Sequence, residues 1–269
     1  MAGIQTIDIN GATLAYEAHA ATPGAPPLVF AHGYALRSTG PIYAALLETL
    51  ARSFTVYALD LRGHGGSAAA TADWSLEALA DDVAAFPAAL GLSGAVYVGH
   101  SLGGLTGLNA AIRHPGAFSA LCLLASAAGS GGRHNPPGIA DLFVAQGRDR
   151  AAMREAFGPM YLRPTPAQVE QTVDSVGLLD PAVHRAFFSH FATFDIMGRL
   201  GEAATPTLAL NGLRDVVVPP AEQHLMALGL PSCKEINLSG EGHMLPIEAP
   251  ALTAREIIGF VQNDLADAF

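Results

Sequence analysis

Hydrophobic and polar positions change period several times along this chain. Residues 5–9 and 12–18 alternate apolar with polar, as a half-buried strand does, and Asn10-Gly11 between them is a two-residue hairpin signal. Residues 27–31, PLVFA, are apolar throughout, the pattern of a strand covered on both faces. Residues 41–52 carry helical spacing, and 54–59 form another continuous apolar strand. Strand and helix patterns then succeed one another: helix 75–90 with Ser75 as N-cap, strand 95–98, helix 102–113, strand 118–125, strand 207–210, helix 219–228, strand 233–238 and helix 249–265. An antiparallel start followed by strand–helix alternation predicts an α/β fold with a mostly parallel central sheet and flanking helices.

Residues 128–200 interrupt that alternation. They read as short helices opened by Asp149, by Thr165-Pro166 and by Asp180-Pro181, which makes them a helical insertion in a core formed by 1–127 and 201–269. Six of the twelve phenylalanines fall there: Phe143, Phe157, Phe187, Phe188, Phe191 and Phe194. His184, Phe187, Phe188 and Phe191 have helical spacing. Packing of the insertion onto the body accounts for such a stripe by itself. Over a site, the same face would also line an apolar pocket. The pocket candidates are Tyr34, Phe143, Phe157, Phe187, Phe188, Phe191 and Met244.

Composition narrows the classes. Half of the 269 residues are hydrophobic and 14% are charged, a globular balance with no transmembrane-length apolar run. The formal net charge of −10 argues against nucleic acid or an anionic membrane surface as a partner, since either calls for a basic patch. The first residues lack a basic region followed by an apolar one, so a cytoplasmic location is expected. Cys122 and Cys233 lie in predicted strands far apart and are expected to be reduced core residues.

In an α/β sheet, functional residues gather beyond the carboxyl ends of the strands. Those loops hold His32-Gly33-Tyr34, Gly99-His100-Ser101-Leu102-Gly103, residues 211–215 and residues 240–243. Ser101 sits between a strand and a helix with glycines two positions to either side, where a strained turn exposes the hydroxyl. A glycine-serine turn capping an ordinary helix has the same letters; the strand before and helix after favour the nucleophile. The hydroxyl needs a base and amide donors for the oxyanion it creates. His243, after the last strand, is placed as base, and Asp215 as the carboxylate that orients it, because the preceding strand ends without one. The amides of Leu102 and Tyr34 are the expected oxyanion donors. Glu241 is expected to be solvated, His100 to lie beneath the turn, and His32 and His64 to hydrogen-bond structurally. No histidine, cysteine or carboxylate cluster has metal-ligand spacing, and the chemistry calls for neither metal nor cofactor.

Gly-His-Ser-Leu-Gly-Gly at 99–104, His32-Gly33, Asp60-Leu-Arg-Gly-His-Gly-Gly-Ser67, Gly212-Leu-Arg-Asp215 and Gly242-His243 stand in the order found in the α/β-hydrolase superfamily, which the chain resembles along essentially its whole length. The resemblance implies Ser101 as nucleophile, Asp215 as acid, His243 as base, Tyr34 and Leu102 as oxyanion hole, and the insertion as a cap. A serine at the elbow departs from the dehalogenases and epoxide hydrolases of the superfamily, which attack with a carboxylate. Histidine at position 100 departs from the asparagine usual in its C–C hydrolases. The expected function is hydrolysis of a small hydrophobic carboxylic ester or lactone. A C–C hydrolase, acyltransferase or perhydrolase on the same triad remains open, as does a small-molecule receptor with little turnover. Oligomeric state is not legible.

Overall fold

Alternate residues of an inner strand face opposite sides of a sheet, and here both sets are apolar. The computed structural model describes residues 3–19, 24–67, 73–132, 139–146 and 149–265. Among these, eight strands form one sheet: β1 (Gln5–Ile9), β2 (Ala12–His19), β3 (Pro27–Ala31), β4 (Thr55–Leu59), β5 (Val96–His100), β6 (Ala120–Leu124), β7 (Thr207–Gly212) and β8 (Cys233–Leu238). Their order is β1-β2-β4-β3-β5-β6-β7-β8, with β2 antiparallel to both neighbours and every other pairing parallel. Asn10 and Gly11 join β1 to β2 with φ of 49° and 73°, the left-handed pair that a tight hairpin turn requires.

Helices α1 (Ala44–Leu50), α2 (Leu76–Ala89) and α3 (Leu102–Arg113) alternate with the strands. The Ser75 hydroxyl caps α2 by accepting from the Ala78 amide at 3.1 Å. Between β6 and β7 come α4 (Ile139–Gln146), α5 (Arg150–Phe157), α6 (Pro166–Val176) and α7 (Pro181–Thr193). Asp149, Thr165 and Asp180 cap the last three, Thr165 in a reciprocal capping box with Gln168. Helix α8 (Pro220–Gly229) separates β7 from β8, and α9 (Leu245–Glu248) and α10 (Pro250–Gly259) follow β8.

One face of the sheet packs Val29, Ala31, Tyr97, Leu121 and Leu123 with side chains of α2 and α3. The other packs Leu28, Phe30, Val98, Cys122 and Leu210 with side chains of α1 and α10. Each fully buried valine, leucine or phenylalanine of this kind contributes about 1.5–3 kcal/mol. A third cluster joins Met153, Phe157, Val173, Val176, Leu179 and Val183 of the insertion to Ala35, in the loop after β3. That contact ties the inserted helices to the part of the core nearest the site.

Three expectations are corrected. Cys122 is buried, but Cys233 is the first residue of an edge strand and only half-buried, so it is not a core residue. The helix expected at 249–265 is α-helical only from Pro250 to Gly259 and widens into a π-turn over Phe260–Asp264, and a separate short helix, Leu245–Glu248, precedes it. Glu241 is not solvated; it forms an ion pair with Arg163 of the insertion at 2.6 Å. Among the described residues, no helix is long and apolar enough to cross a membrane.

Candidate active site

Ser101 lies between β5 and α3 with φ 51° and ψ −112°, a conformation that costs an L-residue of order 1–3 kcal/mol. Its neighbours hold it there. The Ser101 amide donates to the Leu124 carbonyl at 3.0 Å, the Ser101 carbonyl accepts from Ala127 at 2.9 Å, and the Gly103 amide donates to the His32 carbonyl at 3.0 Å. A Cβ on Gly99 would collide with the Gly103 carbonyl, and one on Gly103 with the Ala31 carbonyl. The two glycines flanking Ser101 are therefore a packing requirement of the turn.

His243 Nε2 lies 3.1 Å from Ser101 Oγ, and His243 Nδ1 lies 2.9 Å from Asp215 Oδ2. A carboxylate only accepts, so Nδ1 carries the proton and donates to it, leaving Nε2 bare to accept from the serine hydroxyl. Asp215 is in the loop after β7 and His243 in the loop after β8. The Asp215 carboxylate also accepts from the Val217 and Val218 amides at 2.8 and 2.9 Å and from Gln223 Nε2 at 2.9 Å. Burial opposes its charge, but the hydrogen bond from His243, with those from the two amides, outweighs burial and holds its pKa below the usual carboxylate value. Sequence reasoning missed Gln223; its one signal is its place at the start of the helix that follows the acid.

The loop after β3 carries the other expected donor. His32 is fully buried, donating from Nδ1 to the Gly33 carbonyl at 2.7 Å and accepting at Nε2 from the Leu61 amide at 3.0 Å. Burial pushes its pKa down to about 4, so it is neutral. Asp60 fixes the loop's far end, accepting from the Ser38 and Thr39 amides and the Thr39 hydroxyl at 2.7–2.9 Å. Among the described residues, the amides of Tyr34 and Leu102 donate to no other group, and both residues line the cavity above Ser101.

That cavity has a volume of about 420 Å³, with Ser101 and His243 in its wall. Tyr34, Phe143, Phe157, Phe187, Phe188, Phe191 and Met244 all line it, together with Met160, Thr172, Val217, Val218 and Glu222, which sequence reasoning did not single out. Phe194 does not line it. The Tyr34 ring stacks on Phe187 with centroids 4.3 Å apart and meets Phe188 edge-on at 5.2 Å. His64 hydrogen-bonds the Arg62 carbonyl and is not among the lining residues. Among the described residues, no group of three or more metal-ligating side chains is gathered.

Comparison with known proteins agrees with this fold. A family model described as the alpha/beta hydrolase fold matches residues 26–250. The chain is similar to a pimeloyl-[acyl-carrier protein] methyl ester esterase of Xanthomonas campestris pv. campestris, 30% identical over 230 residues that span 81% of this chain and 88% of that protein. It is also similar to a putative carbamate hydrolase of Rhizobium rhizogenes, 29% identical, spanning 89% and 94% of the two chains. Among solved structures, the enol-lactonase of Burkholderia xenovorans LB400 superposes with a TM-score of 0.84 at 22% identity, covering 96% of this chain and all of that one, which is a likeness of fold. An eight-stranded sheet with a strained serine at the end of its fifth strand, and a match across most of the length, place this chain in the α/β-hydrolase family.

Proposed function

We propose that this protein is a serine hydrolase that cleaves a small hydrophobic carboxylic ester or lactone through an acyl-enzyme. The observation that carries this reading is the line Ser101 Oγ, His243, Asp215, at 3.1 and 2.9 Å, opening onto an apolar cavity. Ser101 Oγ attacks the carbonyl carbon as its proton passes to His243 Nε2. The oxyanion is met by the Tyr34 and Leu102 amides, the latter at the start of α3 where the helix dipole is positive. His243 returns the proton to the leaving alkoxide, which departs as the alcohol or, from a lactone, stays tethered to the acyl group. Water, deprotonated by His243, then attacks the acyl carbonyl; the Ser101 Oγ–acyl bond breaks to release the acid as His243 returns the proton to Oγ.

The named activities of the similar proteins, on a methyl ester and a carbamate, share attack at an acyl carbonyl and support the same chemistry. We read residues 128–200 as the cap that closes the site, with the phenylalanines of α7 setting the apolar end of the substrate. A panel of chromogenic esters of rising acyl length and simple lactones, assayed with wild type and Ser101→Ala, tests this. Turnover that depends on Ser101 and prefers an apolar acyl chain is expected. Equal turnover by Ser101→Ala would overturn it.

A further inference from the structure

Three buried hydrogen bonds run beneath Ser101 from the loop after β3 to the backbone of His243. The Gly33 amide lies 3.2 Å from the Tyr43 hydroxyl, that hydroxyl lies 2.8 Å from His100 Nδ1, and His100 Nε2 lies 2.9 Å from the His243 carbonyl oxygen. Tyr43 is 1% exposed and His100 not at all. The chemistry of the groups assigns the protons. A carbonyl oxygen only accepts, so His100 Nε2 carries a proton and donates. Burial, reinforced by the neighbouring His243, pushes the His100 pKa down to about 3, so the ring is neutral and Nδ1 is bare. Nδ1 therefore accepts from the Tyr43 O–H, and the Tyr43 oxygen accepts from the Gly33 N–H. A single direction of donation satisfies all three links.

Two consequences follow for the site. The Gly33 N–H is consumed by Tyr43, while no partner takes the amide of Tyr34, the expected oxyanion donor, which is next along the loop. The loop also rests directly on the histidine: a Cβ on Gly33 would lie 3.1 Å from His100 Nδ1 and 3.3 Å from Ser101 Cβ. The far end of the same ring holds the backbone of the residue whose imidazole meets Ser101. We propose that His100 and Tyr43 are positioning residues that hold the Tyr34 amide and the His243 imidazole in register over Ser101. This rests on the serine-hydrolase reading above.

The test is ester turnover by Tyr43→Phe, His100→Leu, His100→Gln, the double variant Tyr43→Phe/His100→Leu, and Ser101→Ala. All are assayed well below each variant's melting temperature, so that folded enzyme is compared. Tyr43→Phe keeps the ring but strands the Gly33 N–H and His100 Nδ1, and kcat is expected to fall about 10- to 100-fold with KM within about twofold. His100→Gln keeps an amide donor for the His243 carbonyl and is expected to recover at least about tenfold over His100→Leu. The double variant should be no slower than His100→Leu alone, because the two residues act in one line. If Ser101→Ala is inactive while Tyr43→Phe and His100→Leu turn over like wild type, the positioning proposal fails and the hydrolase reading stands. If Ser101→Ala matches wild type, the hydrolase reading itself fails. Losses in the Tyr43 and His100 variants that appear in KM alone would also overturn the proposal.

Discussion

The Tyr34 hydroxyl and His184 Nδ1 meet at 2.5 Å beside the cavity, one from the loop after β3 and the other from α7. Burial pushes the His184 pKa down to about 4, so this is a hydrogen bond between neutral groups at neutral pH. It is the polar link in an otherwise aromatic contact between core and inserted helices. Tyr34→Phe keeps the stacking on Phe187 and removes the link, which is expected to cost roughly 1 kcal/mol and lower Tm by about 2–4 °C. A thermal melt of the variant beside wild type checks this, and an unchanged Tm would show that the pair contributes nothing.

Gln223 donates to the same Asp215 oxygen that accepts from His243. Gln223→Leu should leave that carboxylate less firmly oriented and lower kcat about tenfold at similar KM. Asp215→Asn removes the partner that sets the His243 tautomer, and a loss of about 10³- to 10⁴-fold is expected with the fold intact. Steady-state kinetics on one ester separates the two. Near-normal turnover by Asp215→Asn would move the orienting acid elsewhere.

Legibility in the sequence followed the range of each interaction. The elbow could be read because Gly99, Ser101 and Gly103 lie within five residues, and the strand and helix around them are mostly apolar or small. Asp215 and His243 could be named because each follows a recognisable strand. The Tyr43–His100 contact spans 57 positions and the Arg163–Glu241 ion pair 78, and no local pattern marks either. Gln223 reads as an ordinary polar residue near a helix start, and only the fold turns it toward Asp215. Helix α4 lacks the N-cap signal that marks α5, α6 and α7, so no local pattern sets its start.

The rings of Phe187 and Phe191 stack with centroids 5.2 Å apart on the cavity wall. Truncating the half-buried Phe191 to alanine lengthens the apolar slot. The kcat/KM ratio of a long-chain over a short-chain ester is expected to rise about tenfold. A preference that does not move would mean the acyl chain lies elsewhere.

Acid stability carries a second signature. His32, His64 and His100 are buried, and burial pushes their pKa values from 6.5 down to about 4, 3 and 3. The unfolded chain takes up these protons near pH 6.5 and the folded one does not. Their contribution is therefore fully present above about pH 6.5 and is lost progressively as pH falls toward 4 and 3, each at up to about 1.4 kcal/mol per pH unit. The depressed Asp215 pKa adds its own loss below about pH 4. Urea unfolding at pH 8, 6 and 5 should show the decline beginning near pH 6. Equal midpoints at all three would contradict the neutral buried histidines.

The central claim is that Ser101 carries the acyl group, and intact-mass spectrometry reads it directly. Wild type and Ser101→Ala are mixed with excess chromogenic ester, quenched in acid within the first turnovers, weighed and digested. A mass gain equal to the acyl group is expected on wild type, located on the peptide that contains Ser101 and absent from the variant. An adduct on another residue, or full turnover by Ser101→Ala with no adduct, would contradict it.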